Sequence, residues 1–195
     1  MTEPRAVAEG AEELLPGLRT WSVHDDRIDF RSDSYAVDAP EGTVLIDPLP
    51  LAEDLGPVAA IVLTAGTHQR SAWRLRRELD VPVWAPELSK LIDEEPDMRY
   101  AEGDELPGEL RPYFTPGAGT TQHTLLRDRV AFTSDLFVVA EGRLSLVPER
   151  WAHDVEQARR SARKLLELDL DVVCAAHGGA VLGDAKGAIR AALDR

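Results

Sequence analysis

The sequence predicts an α/β (α+β) protein: a four-layer αββα sandwich, two mixed sheets packed face to face with helices outside. Three observations carry this. Strand-like runs crowd the first third of the chain, each half then closes with a helix, a strand and a helix, and the second half repeats the plan of the first as a distant version of it. No linker rich in Pro, Gly or Ser and no charge block divides the 195 residues, so one domain over 1–195 is expected.

In chain order, strands are predicted at 18–23 (LRTWSV), 34–39 (SYAVDA), 43–47 (TVLID) and 59–64 (AAIVLT), separated by turns containing Asp, Gly and Pro. A helix over 71–79 places Ala72, Leu75 and Leu79 on one stripe, followed by a strand at 81–85 and a short helix at 87–93 (ELSKLID). The second half offers strands at 109–115, 123–128 and 129–133, then LFVVA and RLSLV around a Glu141-Gly142 turn. A long helix over 154–168 has Asp154 and Gln157 at capping-box spacing and Val155, Ala158, Ala162, Leu165 and Leu166 on its buried face. A strand at 171–176 and a helix at 184–193, with Asp184 as N-cap, finish the pattern.

A net charge of -13 argues against nucleic acid or anionic membrane as a partner, because phosphate binding depends on a positive field. Two local basic clusters, Arg70/Arg74/Arg76/Arg77 and Arg159/Arg160/Arg163/Lys164, read as solvated faces of helices. The apolar run 59–63 is far below the ~20 residues that span a bilayer, and the acidic N-terminus lacks the features of a secretory signal, so a cytoplasmic location is expected. The single cysteine, Cys174, has no disulfide partner and reads as a packed strand residue.

The stretch IVLTAGTHQRSAW, residues 61–73, reads as a buried strand, a polar loop and the opening of a helix. No phosphate-binding loop, dinucleotide fingerprint or nucleophile elbow competes with it, and Ser134 lacks a cue for an activating base. Taken in order, SYAVDAPEGTVLIDPL, IVLTAGTHQRSAW, PVWAPE, YFTPGAG, VAFTSDLF and CAAHGG resemble the metallo-beta-lactamase superfamily over nearly the whole chain.

That resemblance implies two metal ions, often zinc, held by a T-H-x-H-x-D-H loop, a histidine after T-P-G, a turn aspartate and a histidine in the last glycine loop. It also implies a bridging hydroxide that attacks an ester, amide, thioester or phosphodiester. Thr64 matches the leading threonine, but Ala65, Thr67, Gln69 and Arg70 stand at the loop's ligand positions and Ala118 follows T-P-G. Asp135 and His177 remain, and neither implied metal keeps three strong ligands.

The expectation is therefore a degenerate centre with no metal, in a small-molecule binding or regulatory module. Its pocket would be formed by Thr67, His68, Gln69, Arg70, Asp135 and His177, with Asp47 supporting the loop from below. Arg70, which has no lone pair to ligate with, is predicted to replace the metal as partner of Asp135. With His68 and His177 it would receive a small anion or carboxylate. The alternative is a hydrolase using one zinc, iron or manganese ion on a displaced set, His68, His123, Asp135 and His177, or a metal-free pair of His177 with Asp135. A third reading is an interaction protein whose outer surface matters more than the pocket. Trp73 would narrow the pocket or pack beneath the loop, and His24 and His153 read as surface or capping residues. The oligomeric state stays open.

Overall fold

The computed structural model describes residues 3–90 and 92–195. The first sheet follows chain order: β1 (Glu12–Leu15), β2 (Leu18–Asp25), β3 (Phe30–Ala39), β4 (Gly42–Ile46), β5 (Val58–Val62), then, after helix α1 (Ala72–Leu79), β6 (Val83–Pro86) and β7 (Met98–Tyr100). Pairing is antiparallel from β1 to β4 and parallel from β4 to β7.

Next come β8 (Arg111–Phe114), β9 (His123–Arg127) and β10 (Val130–Phe132). A separate hairpin, β11 (Phe137–Ala140) with β12 (Arg143–Leu146), leads to α2 (Val155–Leu165), β13 (Val172–Cys174), β14 (Ala180–Leu182) and α3 (Ala185–Leu193). In space the second sheet runs β14-β13-β10-β9-β8, and its β10–β13 pair is parallel.

Three apolar clusters separate four layers, as the strand periodicity requires. Val44, Ile46, Ala60 and Val62 face inward and meet Leu125, Phe132, Val172 and Cys174 between the sheets. Their neighbours Leu45, Ile61 and Leu63 face outward onto Ala72 and Trp73 of α1. On the far side, Ala131 and Val173 pack against Ala158, Ala162 and Leu165 of α2 and Ile189 of α3. The αββα sandwich is thus the observed architecture. Both long helices begin as their sequences direct: the Asp154 carboxylate accepts from the Gln157 amide, and that of Asp184 from the Gly187 amide.

The predicted helix at 87–93 does not form over its described residues. Residues 87–90 are a turn and coil, and Leu91 lies outside the described residues. The segment is drawn out between parallel strands: the Glu87 amide is given to the Tyr100 carbonyl and the Asp93 amide to the Gln69 side chain. Strands β1, β7 and β14, three or four residues each, went unpredicted, and β3 begins four residues earlier than its apolar pattern indicates. The β11–β12 turn matches its sequence, with Glu141 (φ 52°) and Gly142 (φ 72°) both left-handed. No helix among the described residues is long and apolar enough to cross a membrane.

Candidate active site at the carboxyl ends of the parallel strands

Four chain segments leave the carboxyl ends of β4, β5, β10 and β13, all members of parallel pairs, and converge at one edge of the sandwich. This is where α/β sheets place ligands, because loops there diverge and leave a crevice. The two sheets are tied together at this edge: the Asp33 amide donates to the Ala176 carbonyl at 2.8 Å, the His123 amide to the Thr64 carbonyl at 2.9 Å and the Tyr35 hydroxyl to the Ala175 carbonyl at 2.6 Å. Three non-glycine residues here have left-handed backbones, Asp47 (φ 47°), Arg70 (φ 42°) and Ser134 (φ 51°). Such conformations cost free energy and concentrate at functional sites.

Asp47 follows β4 and is buried. Its carboxylate accepts the Thr64 amide at 2.8 Å, the Thr64 hydroxyl, and Nδ1–H of His68 at 2.9 Å. That settles the orientation of His68, whose Nε2 then lies 3.0 and 3.1 Å from the two oxygens of Asp135. From the second sheet, Nδ1–H of His177 donates to the Arg31 carbonyl at 2.9 Å, leaving its Nε2 3.1 Å from Asp135 Oδ1.

The electrostatics of this cluster follow from the proton count. Neither a carboxylate nor a carbonyl has a hydrogen to give, so both Nδ1 atoms carry one. In neutral rings both Nε2 lone pairs would then face carboxylate oxygens. The slot between the rings and Asp135 therefore calls for positive charge, supplied by a proton on each ring or by one shared cation. With protons, burial pushes the His68 imidazolium down, but Asp135 and Asp47 outweigh it and raise His68 to about 9. Burial likewise pushes Asp135 up, yet the two imidazoles hold it well below the usual carboxylate range.

Arg70 is not the partner of Asp135. Its guanidinium is buried and turned into the sheet ends, donating to the Asp33 and Asp47 carbonyls, to the Ser34 hydroxyl at 3.3 Å and to the Ala176 carbonyl at 3.4 Å. The Ser71 amide, next to Arg70, donates to the Pro48 carbonyl and ties this loop to the segment that follows β4. An anion cannot count on a guanidinium so fully engaged. His68 takes the place predicted for Arg70.

The other predicted residues divide. Thr67 is exposed on the rim and Gln69 points away from the cluster, its amide oxygen accepting Trp73 Nε1–H and the Asp93 amide at 2.6 Å each. Trp73 packs beneath the loop. His123 does not join the displaced metal set: its ring lies against Tyr100 and Phe114, and its Nδ1 donates to the Thr121 carbonyl. His24 and His153 are exposed. Sequence reasoning missed the strand segment Arg31, Ser32 and Asp33 and a site role for Ser34, which the site uses through main-chain carbonyls and buried hydroxyls.

The two-ion centre implied by the resemblance does not fit these residues. Ala65, Thr67 and Ala118 bring no nitrogen or carboxylate, and instead line an adjoining cavity of about 620 Å³. One ion fits better. Among the described residues, His68, Asp135 and His177 alone form a group whose donor atoms all lie within 4.8 Å of one another. Donors that share an ion at about 2 Å are spaced by roughly 3 Å, as these pairs are. Two histidines and a carboxylate with open positions also constitute a recognised mononuclear donor set. A crevice of about 450 Å³ opens onto it, bordered by Ile28, Ser32, Thr67, His68, Asp135 and His177 and by the charged residues Asp25, Arg27 and Arg70.

Sandwich and site together define a class: an αββα protein with a histidine and aspartate centre at the carboxyl edge of paired sheets. The family model of the metallo-beta-lactamase superfamily matches residues 13–193, and the chain belongs to that superfamily. It is similar in structure to an archaeal superfamily protein from Sulfolobus tokodaii, with TM-score 0.75, 20% identity and coverage of 91% of this chain and 85% of that one. A metallo-beta-lactamase from Erythrobacter litoralis gives TM-score 0.71 at 18% identity, over 94% and 90% of the two chains. One from Pontibacter korlensis gives 0.73 at 17%, over 95% and 99%. At these identities the likeness speaks for the fold. No curated protein matches the sequence.

Proposed function

We propose that this chain is a hydrolase that uses a single divalent cation held by His68, Asp135 and His177. One observation carries the proposal: two imidazole Nε2 atoms and a carboxylate converge on one slot while each Nδ1 is locked by an acceptor. The reading departs from the metal-free expectation because His68, at a position where the family pattern has no ligand, supplies the imidazole that the loop otherwise lacks. Zinc, iron or manganese bound there would supply a Lewis acid and lower the pKa of water to about 7.

The chain's own groups do the rest. Asp47 fixes the His68 tautomer and keeps its ring basic, and the Arg31 carbonyl fixes the orientation of His177. Arg70 clamps the ends of β3, β4 and β13 so that these orienting groups hold their places. The crevice admits an ester, thioester or amide from the Ile28 and Thr67 side.

Metal analysis of protein purified without chelator tests this. About one zinc, iron or manganese per chain is expected, lost in His68→Gln and in His177→Gln, with ester or thioester hydrolysis lost alongside. Two ions per chain, or one that survives both substitutions, would overturn it. A second reading, the metal-free binding module, is favoured by one observation: His68 protonated between Asp47 and Asp135 satisfies the cluster without an ion. Its small anionic partner would then enter the 620 Å³ cavity, which in a chain of net charge -13 is lined by Lys90, Ser89, Thr121, Gln122 and His153 and by no carboxylate. Neither metal nor turnover, with carboxylate binding weakened in Lys90→Ala, would favour it.

A further inference from the structure

Beside Asp135 and His177 lies a cavity of about 320 Å³ whose other lining residues are all apolar: Ile28, Phe30, Ala118, Val138, Val147 and Trp151. Ile28 and Trp151 are 53% and 48% exposed. Large apolar side chains left in water singly need no explanation, but here they cluster around one hollow that opens onto the reacting centre. The wall is built of aromatic groups packed on one another. Phe30 stands edge-on to Trp151 with centroids 6.0 Å apart and edge-on to His177 at 5.8 Å, and the Arg150 guanidinium covers the indole at 4.4 Å. A preformed aromatic wall gains affinity because little freedom is lost when a ligand packs on it.

We infer that this cavity receives the apolar acyl side of the substrate, so that the protein acts on esters or thioesters of aryl-acetic or medium-chain acids in preference to acetyl ones. The inference rests on the reading of His68, Asp135 and His177 as a reaction centre, for the cavity shares Asp135 and His177 with the crevice around that centre. An acyl chain in the cavity places its carbonyl beside those two residues and its leaving group toward Thr67. The volume admits one ring or a short chain, and apart from the Trp151 indole N–H no lining side chain outside the centre can pair with a polar acyl group. Each methylene moved from water into such a wall contributes about 0.8 kcal/mol, close to fourfold in affinity.

Neutral, slowly hydrolysed amides separate binding from turnover. Phenylacetamide and hexanamide, titrated into the purified protein by calorimetry and by tryptophan emission, are expected to bind at least about tenfold more tightly than acetamide. Trp151→Ala should remove most of that preference, Ala118→Leu should narrow it by filling the hollow, and Trp151→Phe should retain affinity while losing the change in emission. Equal affinity for the three amides, or a preference untouched by Trp151→Ala and Ala118→Leu, overturns the inference. Hydrolysis of the 4-nitrophenyl esters of phenylacetate and acetate is read separately. Amide selectivity without turnover of either ester sinks the hydrolase reading while the cavity assignment stands; equal turnover of both with no amide selectivity does the reverse.

Discussion

His68 has two carboxylate neighbours and almost no water, and this makes the metal-stripped protein's stability depend on pH in a defined direction. Its folded pKa, about 9, lies above the ordinary histidine value, so its contribution is complete below about pH 6.5 and is lost as pH rises through 9. Asp135 is shifted the opposite way, so its contribution is present above the ordinary aspartate range and is lost as pH falls below it. After chelation, thermal unfolding should show a stability plateau between about pH 4.5 and 6.5, then a decline of roughly 3 kcal/mol by pH 9.5. His68→Gln should flatten the alkaline arm; an unchanged decline in that variant would count against the two-carboxylate account. Arg70 acts through hydrogen bonds to the Asp33, Asp47 and Ala176 carbonyls, the last two of which also accept from the Ser34 hydroxyl and the Asp33 amide. Arg70→Met removes the side-chain donor to the buried Asp33 carbonyl and thins the others, and should cost on the order of 1–3 kcal/mol in urea unfolding, and Arg70→Lys, without the planar fork, should recover only part of it.

At the scale of elements, the loop after β13 is narrow because Gly178, at φ 88°, passes against the Val139 carbonyl, which a Cβ at that position would strike. The same loop is held by the Val139 amide on the His177 carbonyl at 3.0 Å. Gly178→Ala should therefore move His177, lowering metal affinity by ten- to a hundredfold in a competition titration even where far-ultraviolet dichroism remains native. This loop also shows what the sequence could and could not disclose. Elements with apolar alternation or a cap were legible: β4, β5, α2 with Asp154 and the β11–β12 turn all fall close to their predicted bounds. The start of β3 was not, because Arg31, Ser32 and Asp33 are polar yet buried or paired. They sit in a strand to serve Arg70 and His177 rather than a core. The short strands β1, β7 and β14 fail for a different reason, since three or four residues carry too little period to read. Asp135 and His177 were legible by motif. As a metal ligand His68 was legible only in the alternative, displaced set, because its worth depends on Asp47, 21 residues earlier, holding its Nδ1, and spacing alone cannot reveal a tautomer.

For the whole molecule, the cluster joins the two halves of the sandwich. Asp47 and His68 belong to loops of the first sheet, whereas Asp135 and His177 belong to loops of the second, so a cation held by this set crosslinks the sheets at the edge where the Asp33–Ala176 and Tyr35–Ala175 bonds already meet. A ligand that binds the folded state alone stabilises it by RT ln(1 + [L]/Kd), about 2.7 kcal/mol at a hundredfold excess over Kd. The chelated protein should accordingly gain about 5–10 °C in unfolding temperature at pH 7.5 on addition of zinc to that excess, with the increment rising logarithmically with free metal. The gain should vanish in Asp135→Asn and His177→Gln but survive His123→Gln, because His123 lies in its own niche between Tyr100 and Phe114. Zinc must displace a proton from His68 to bind, so the increment should also shrink as pH falls below about 7. An increment independent of pH, or one retained without Asp135, would place the ion elsewhere and leave the cluster as a proton-satisfied brace between two sheets.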